Sequence, residues 1–333
     1  MSAWCGQGRE IHVQEVALRD GLQSEAGFMS TEDKIALVDR LVASGIKRIE
    51  VSSFVSPRAV PQLADAEAVF QGITRRPGVT YAALVANVRG MERAIAARAD
   101  EVNLVMSASE SHNRANLRMS GDASFHAIKE AAALAAKEGM RVAASLSCSF
   151  GCPFEGEIPA ATILRWCRQL QEEAGIDSIS LCDTTGMAYP ALVHDLVGLV
   201  RHSYPAVNLA LHFHNTRGLG LANVFAGIDA GVIHFDAALT GIGGCPYAPG
   251  ATGNICTEDL IHALEISGYR CGVDLDALIA TAETFEKLLG HTTPGQVLKA
   301  GRRLRGHCAD RHSPTDLKPI ADRLAIASPD AEG

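Results

Sequence analysis

Eight short β-rich runs recur along the 333 residues, each followed by a helical pattern, and this alternation limits the folds open to the chain. The runs are "IHVQEVA", "KRIEVSS", "VTYAALV", "DEVNLVM", "RVAASLS", "DSISLC", "VNLALHF" and "HFDAALT". In the first gap Ser30 can cap a helix with Asp33 behind it, Ile35, Val38, Leu41 and Val42 form one apolar stripe, and Gly45 ends it. Alternating β and α elements imply a parallel sheet with helical crossovers, and eight such units can close into an α/β (β/α)8 TIM barrel. An open doubly wound sheet satisfies the same alternation. The reading assigns residues 10–290 to a catalytic barrel with additional C-terminal helices after Gly268, and residues 291–333 to a polar tail.

Composition narrows the classes of function. With 47% hydrophobic residues the chain can bury a full core. Thirty Lys and Arg stand against 38 Asp and Glu, for a net charge of −8, without a basic run. Phosphate backbones need clustered cations, so nucleic acid is not the expected partner and a small molecule is. No apolar stretch reaches the roughly 18 residues of a membrane span, and "MSAWCGQGRE" has neither a signal-peptide core nor a transit pattern. A cytoplasmic protein without a membrane partner is expected. The nine cysteines are scattered, with only Cys148 and Cys152 close together, so most should be reduced and buried.

In "LALHFHNTRG" two histidines stand at i and i+2, and side chains so spaced on a strand point to one face. The run is the seventh strand, so His212 and His214 lie at its carboxyl end, where barrels of this kind place their active sites. A lone histidine there would read as a core residue; two on one face point to a metal. Other strand ends supply oxygen ligands. "VALRDGLQSE" puts Arg19 and Asp20 after the first strand with Gly21 for a tight turn, and "GGCPYAPGATGNICTED" puts Asn254 in a Gly-rich loop after the eighth, beside both the first and the seventh in a closed ring. Two imidazoles, a carboxylate and an amide oxygen, with room for water or substrate, suit octahedral Mg²⁺ or Mn²⁺ better than a closed zinc site. Arg-Asp-Gly is also a common turn, and Asn in such a loop also serves a left-handed backbone.

Five segments together, "RDGLQSE", "IEVSSFVSP", "CSFGCPFEG", "HFHNTRG" and above all "GIGGCPYAPGATGNICTEDL", resemble the 3-hydroxy-3-methylglutaryl-CoA lyase family, over roughly residues 10 to 290. The family belongs to the barrel-fold metal-dependent lyase and Claisen-condensing superfamily. The resemblance implies a metal held by Asp20, His212, His214 and Asn254, an acyl-CoA substrate, and retro-Claisen cleavage to acetyl-CoA and acetoacetate. Leucine degradation is what it suggests as a pathway. For that chemistry Arg19 is the candidate to stabilise enolate charge on the thioester oxygen, and Cys245 the candidate to protonate the enolate carbon, a thiol pKa near 8.5 suiting the transfer. Glu50, a half-buried carboxylate at the carboxyl end of "RIEVSSF", needs a partner such as Arg19 and takes an orienting or proton-handling role, with a structural ion pair as the alternative.

Gln23, Asp183 and Thr184 are further candidates for substrate or water contact. Lys47, Arg48 and Arg58 are open candidates for the phosphates of coenzyme A. Departures from the family pattern bear on the acyl group: Ser145 stands where animal-type lyases carry tyrosine, Cys182 where glycine is usual, and Asn215-Thr216-Arg217 where Asp-Thr-Tyr is frequent. A 3-hydroxy-3-alkylglutaryl-CoA or citramalyl-CoA is the alternative substrate. A condensing synthase, for which the chain is short, and a non-catalytic metal-binding relative are the alternative classes. A homo-oligomer, dimer or tetramer, is left open by the sequence.

Overall fold

The computed structural model describes residues 3–244 and 252–304. Eight parallel strands close on themselves in chain order: β1 (His12–Glu15), β2 (Arg48–Ser53), β3 (Thr80–Val85), β4 (Glu101–Ser107), β5 (Arg141–Ser147), β6 (Ser178–Asp183), β7 (Asn208–Phe213) and β8 (His234–Ala237), with β8 pairing back to β1. The open sheet is thereby excluded. Six strands lie within the β-rich runs, and β4 and β6 run one residue past theirs, to Ser107 and Asp183.

The helices are α1 (Thr31–Ala43), α2 (Ala66–Gly72), α3 (Val88–Ala96), α4 (Glu110–Leu117), α5 (Gly121–Lys137), α6 (Ala160–Arg168), α7 (Pro190–Ser203), α8 (Gly220–Asp229), α9 (Thr257–Ile266), α10 (Leu275–Leu289) and α11 (Gln296–Ala300). Five of them start on a side-chain cap: Ser30, Asn87, Ser109, Ser120 and Asp274 each accept a bond from a backbone N–H of the first turn. In α1 the buried face is Lys34, Leu37, Val38 and Leu41, while Ile35 and Val42 of the expected stripe are only half-buried. Lys34 is held by Asp65 Oδ1 and the Gln62 carbonyl, both at 2.7 Å, which offsets the cost of burying its ammonium. None of the described helices is long and apolar enough to cross a membrane.

The two faces of the barrel strands differ in kind. Outward residues such as Val102, Leu104 and Met106 of β4 are fully buried beneath the helices. Inward positions alternate with them and are largely polar or small: Arg48 and Glu50, Glu101 and Asn103, Ala143 and Ser145, Ser178 and Ser180, Ala210 and His212, His234 and Asp236. Barrel interiors are usually filled by Val, Ile and Leu. Here the apolar core lies in the ring between strands and helices, and the axis is left for polar contacts.

The compact unit runs from Met1 to Ala300, so residues 291–300, read from the sequence as tail, belong to the barrel. Asp259 of α9 accepts the backbone N–H groups of Gln296 and Val297 and fixes the start of α11. Among the described residues no cysteine forms a disulfide, and Cys148, Cys152, Cys167, Cys182 and Cys256 are buried.

The strands at the closing seam, β1 and β8, have four residues each. Glu15 reinforces the seam: Oε1 accepts from the backbone N–H of Ala17 and Leu239, both at 2.8 Å, and Oε2 accepts from Thr257 Oγ1 at 2.7 Å. Complete burial raises the Glu15 pKa from 4.5 to about 7 although these bonds act against the rise. The protonated carboxyl therefore stabilises the fold fully below about pH 4.5, and that contribution is lost as pH rises through about 7. Glu15→Gln keeps an acceptor for both amides and removes this titration. Its Tm should decline less than that of the wild type between pH 4.5 and 7; equal slopes in thermal melts would exclude Glu15 as a contributor.

Candidate metal centre and active site

After β1 the chain makes one π-helical turn, Ala17–Gly21, in which the N–H groups of Arg19, Asp20 and Gly21 converge on the Val16 carbonyl at 3.1, 2.7 and 3.3 Å. This corrects the expected tight turn at Gly21. Its φ of −59° is ordinary right-handed backbone, and glycine is needed there because a Cβ would stand 2.7 Å from the Ile242 side chain. Arg19 Nη1 donates to Asp20 Oδ1 at 2.6 Å, and Arg19 Nε donates to Glu50 Oε2. All three residues are buried. Glu50 differs from expectation in depth: it is fully buried within β2, where the pairing with β3 shifts register between Glu50 and Ser52.

His212 and His214 share a face of the barrel with ring centroids 5.2 Å apart, one at the end of β7 and the other just beyond it. Each of these histidines and Asp20 offers a ligand atom within 4.8 Å of the others. Asn254 is brought in by backbone pairing: its segment runs antiparallel to the end of β7, with Asn215 N–H on the Gly253 carbonyl at 2.8 Å and Ile255 N–H on the Phe213 carbonyl at 3.0 Å. Asn254 does not occupy the left-handed region, so that explanation of the residue falls away. Its Nδ2 donates to Asp20 Oδ2 at 2.7 Å and to the Ile242 carbonyl at 3.0 Å. Gly243, at φ +115°, leaves room for this side chain; a Cβ there would lie 2.5 Å from Asn254 Nδ2.

Two buried atoms in this cluster have no hydrogen-bond partner, His214 Nδ1 and Asn254 Oδ1. Burying such atoms costs free energy unless something binds them. Together with Asp20 and His212 they form a donor set of imidazole nitrogen, carboxylate and amide oxygen that fits a divalent cation. His212 Nδ1 is engaged with Asp236 Oδ2 at 3.2 Å, the carboxylate–imidazole contact that orients metal-binding histidines. Electrostatics favour the same reading. Burial would raise the Asp20 pKa, but Arg19 and the two imidazoles hold it far below the usual carboxylate range. Burial lowers the His214 pKa despite Asp20 and keeps its ring neutral, as a ligand must be.

The remaining sequence candidates divide between the site and elsewhere. Gln23 joins it, donating from Nε2 to Asp20 Oδ1 at 3.0 Å. Thr184 Oγ1 accepts the Cys148 N–H at 3.1 Å. Asp183 uses Oδ1 to accept the N–H groups of Met187 and Ala188, and burial raises its pKa to about 6. Cys182 is buried beside His212 in the strand register, where burial pushes its thiol up to about 12. Asn215 accepts the Gly220 N–H, and Arg217 donates to the carbonyls of Thr185 and Gly186, tying two loops together. Cys245 lies outside the described residues.

Lys47 and Arg48 lie at the amino-terminal end of β2, opposite the site, which removes them as candidates for coenzyme A; Arg48 is paired with Glu101 and Gln14. Arg58, exposed after the carboxyl end of β2, stays on the correct side. Sequence reasoning missed two participants. Asp236 supports His212, and Asn103 Nδ2 donates to Glu50 Oε1 at 2.9 Å. The signal was present: "HFDAALT" and "EVNLVMS" carry polar residues at i and i+2 inside buried strands, as "LHFH" does.

Residues 10–285 match the family model described as HMGL-like. The chain is similar to the hydroxymethylglutaryl-CoA lyase YngG of Bacillus subtilis, 42% identical over 291 residues, which span 87% of this chain and 97% of that one. It is also similar to the (R)-citramalyl-CoA lyase of Chloroflexus aurantiacus, 39% identical over 304 residues, covering 87% of this chain and 95% of the relative. Among solved structures, an HMG-CoA lyase from Acenitobacter baumannii in complex with coenzyme A and 3-methylmalate superimposes with a TM-score of 0.86 at 46% identity, covering 92% of this chain and 98% of that one.

Two substitutions test the cluster as a cation site. His214→Ala removes a nitrogen ligand, and Gly243→Ala pushes a methyl group against Asn254 and Asp20. Each should weaken Mn²⁺ binding at least roughly tenfold by calorimetric titration. Unchanged affinity in both would remove these residues from the site.

Proposed function

The chain belongs to the HMGL-like family, and we propose that it cleaves 3-hydroxy-3-methylglutaryl-CoA to acetyl-CoA and acetoacetate with a divalent cation, Mg²⁺ or Mn²⁺, held by Asp20, His212, His214 and Asn254. The observation that carries this reading is the pair of unpartnered buried atoms, His214 Nδ1 and Asn254 Oδ1, beside a carboxylate already locked to Arg19. A bound cation supplies Lewis-acid polarisation of the substrate oxygens and acidifies the tertiary hydroxyl.

The reaction breaks the bond between the carbinol carbon and the carbon alpha to the thioester. Its electron pair moves onto the thioester as an enolate while the hydroxyl proton passes to a general base. Arg19 is held by Glu50 through Nε and by Asp20 through Nη1, and neither bond uses Nη2. A guanidinium so fixed stabilises the enolate oxygen more than the neutral thioester, which is what accelerates the step. The neighbouring carboxylates raise the Arg19 pKa against the effect of burial and keep it charged. Glu50 aims Arg19 and stands within the proton-handling layer. Cys245 donates the proton that converts the enolate carbon to the methyl group of acetyl-CoA.

A related 3-hydroxyacyl-CoA is the second reading, favoured by one observation. The chain is 39% identical to the (R)-citramalyl-CoA lyase of Chloroflexus aurantiacus, close to its 42% identity to YngG. Citramalyl-CoA or a 3-hydroxy-3-alkylglutaryl-CoA is the substrate class that follows.

The deciding assay is acetyl-CoA release by purified protein, with EDTA-treated and Mg²⁺- or Mn²⁺-restored samples, on 3-hydroxy-3-methylglutaryl-CoA and citramalyl-CoA in parallel. Turnover of the first that requires the cation and yields acetoacetate is expected; preference for the second supports the alternative. Arg19→Gln should lower kcat roughly 100- to 1,000-fold. Cys245→Ala should keep fold and cation binding while losing most turnover, and near-wild-type kcat would remove Cys245 from the mechanism.

A further inference from the structure

Beneath the cation cluster the axis contains an ordered chain of side-chain bonds. Ser145 Oγ donates to Asn103 Oδ1 at 2.9 Å, Asn103 Nδ2 donates to Glu50 Oε1 at 2.9 Å, and the other Glu50 oxygen receives Arg19 Nε. Asn103 and Glu50 come from β4 and β2, separated by β3. They meet because β3 presents only Ala82 inward at the level paired with Glu50 and Glu101. Below lies a cavity of about 220 Å³ that runs from His12, Ser178 and Asn208 at the amino-terminal mouth up to Asn103, Ser145 and Asp236. Asn103 therefore stands between the Glu50 carboxylate and space large enough for several waters.

We propose that Asn103, oriented by Ser145, is the positioning residue that fixes the Glu50 carboxylate and through it the aim of Arg19. The claim rests on the catalytic reading of Arg19 and Glu50 given above. A carboxylate has two oxygens, and Arg19 constrains one. Without a donor on the other the group turns about its side-chain axis, or bonds to water from the cavity, and the guanidinium loses its fixed fork. The amide is suited to the place because it donates to the carboxylate while accepting from the serine.

Asn103→Leu removes both bonds at similar volume. It should lower kcat on 3-hydroxy-3-methylglutaryl-CoA roughly 10- to 100-fold, the loss expected for one bond to a charged group, with KM and Tm nearly unchanged. Asn103→Asp separates positioning from packing. A protonated Asp at 103 donates to Glu50 as the amide does, whereas an ionised one repels it. The charged groups around the pair are Arg19 and Arg48, with Asp20, Asp236 and Glu101 behind them. Relative to wild type, kcat of Asn103→Asp should be nearest at low pH and fall as pH rises.

Wild-type kcat in both variants at every pH would overturn the proposal, as would equal losses in both that do not vary with pH. Glu50→Gln with wild-type activity would instead overturn the role of Glu50, and the proposal with it. If the wild type cleaves no acyl-CoA, the proposed function fails separately, and crystal structures judge the positioning. A Glu50 carboxylate unmoved in Asn103→Leu overturns it; one rotated off Arg19 sustains it.

Discussion

Arg19 is one cation among three buried carboxylates, and the upper half of the barrel axis is arranged around that imbalance. Asp20, Glu50 and Asp236 face it or its partners at low exposure, a formal excess of two negative charges. Charges removed from water are tolerated only when paired and hydrogen-bonded. Arg19 meets two of the three directly, and the third is turned toward His212. The excess equals the charge of the cation that the nitrogen and oxygen donors fit. Binding that ion and balancing the buried charge are then one requirement.

This polar axis divides the work within the fold. Packing that a barrel interior normally supplies falls on the ring outside it, where residues such as Ile179, Leu181, Leu211 and Phe213 are fully buried. Burial of each such side chain stabilises by about 1.5–3 kcal/mol, so the ring can hold the barrel closed while the axis stays hydrophilic. Substitution in the two zones should accordingly have different signatures, stability in the ring and chemistry in the axis.

The sequence made the barrel legible because strand and helix periods differ and because caps such as Ser30 and Asp274 mark where one gives way to the other. His212 and His214 were legible for the same reason, since period two assigns a face without knowledge of neighbours. Asp20 and Asn254 became legible once the ring was closed, which made the first, seventh and eighth strand ends adjacent. Asn103 and Asp236 were legible only as inward polar positions, without their partners. A strand's alternation says that a side chain points inward, but the tilt of the strands decides which inward residues meet, and Asn103 touches Glu50 across an intervening strand. Gly21 misled because glycine marks close approach as readily as a turn. Lys47 and Arg48 misled because charge carries no information about which end of a strand holds it.

The seam at Glu15 bears on how the chain acquires its fold. Its bonds span 224 residues to Leu239 and 242 to Thr257, so the ring cannot be closed in this way until Thr257 has left the ribosome. Until then β1 is an unpaired edge, the kind of surface on which nascent chains join one another. On such an edge a glutamate keeps its ordinary acidity, so at neutral pH it is ionised and hydrated and resists burial against a foreign strand. The same side chain that staples the finished barrel thus keeps the unfinished one solitary.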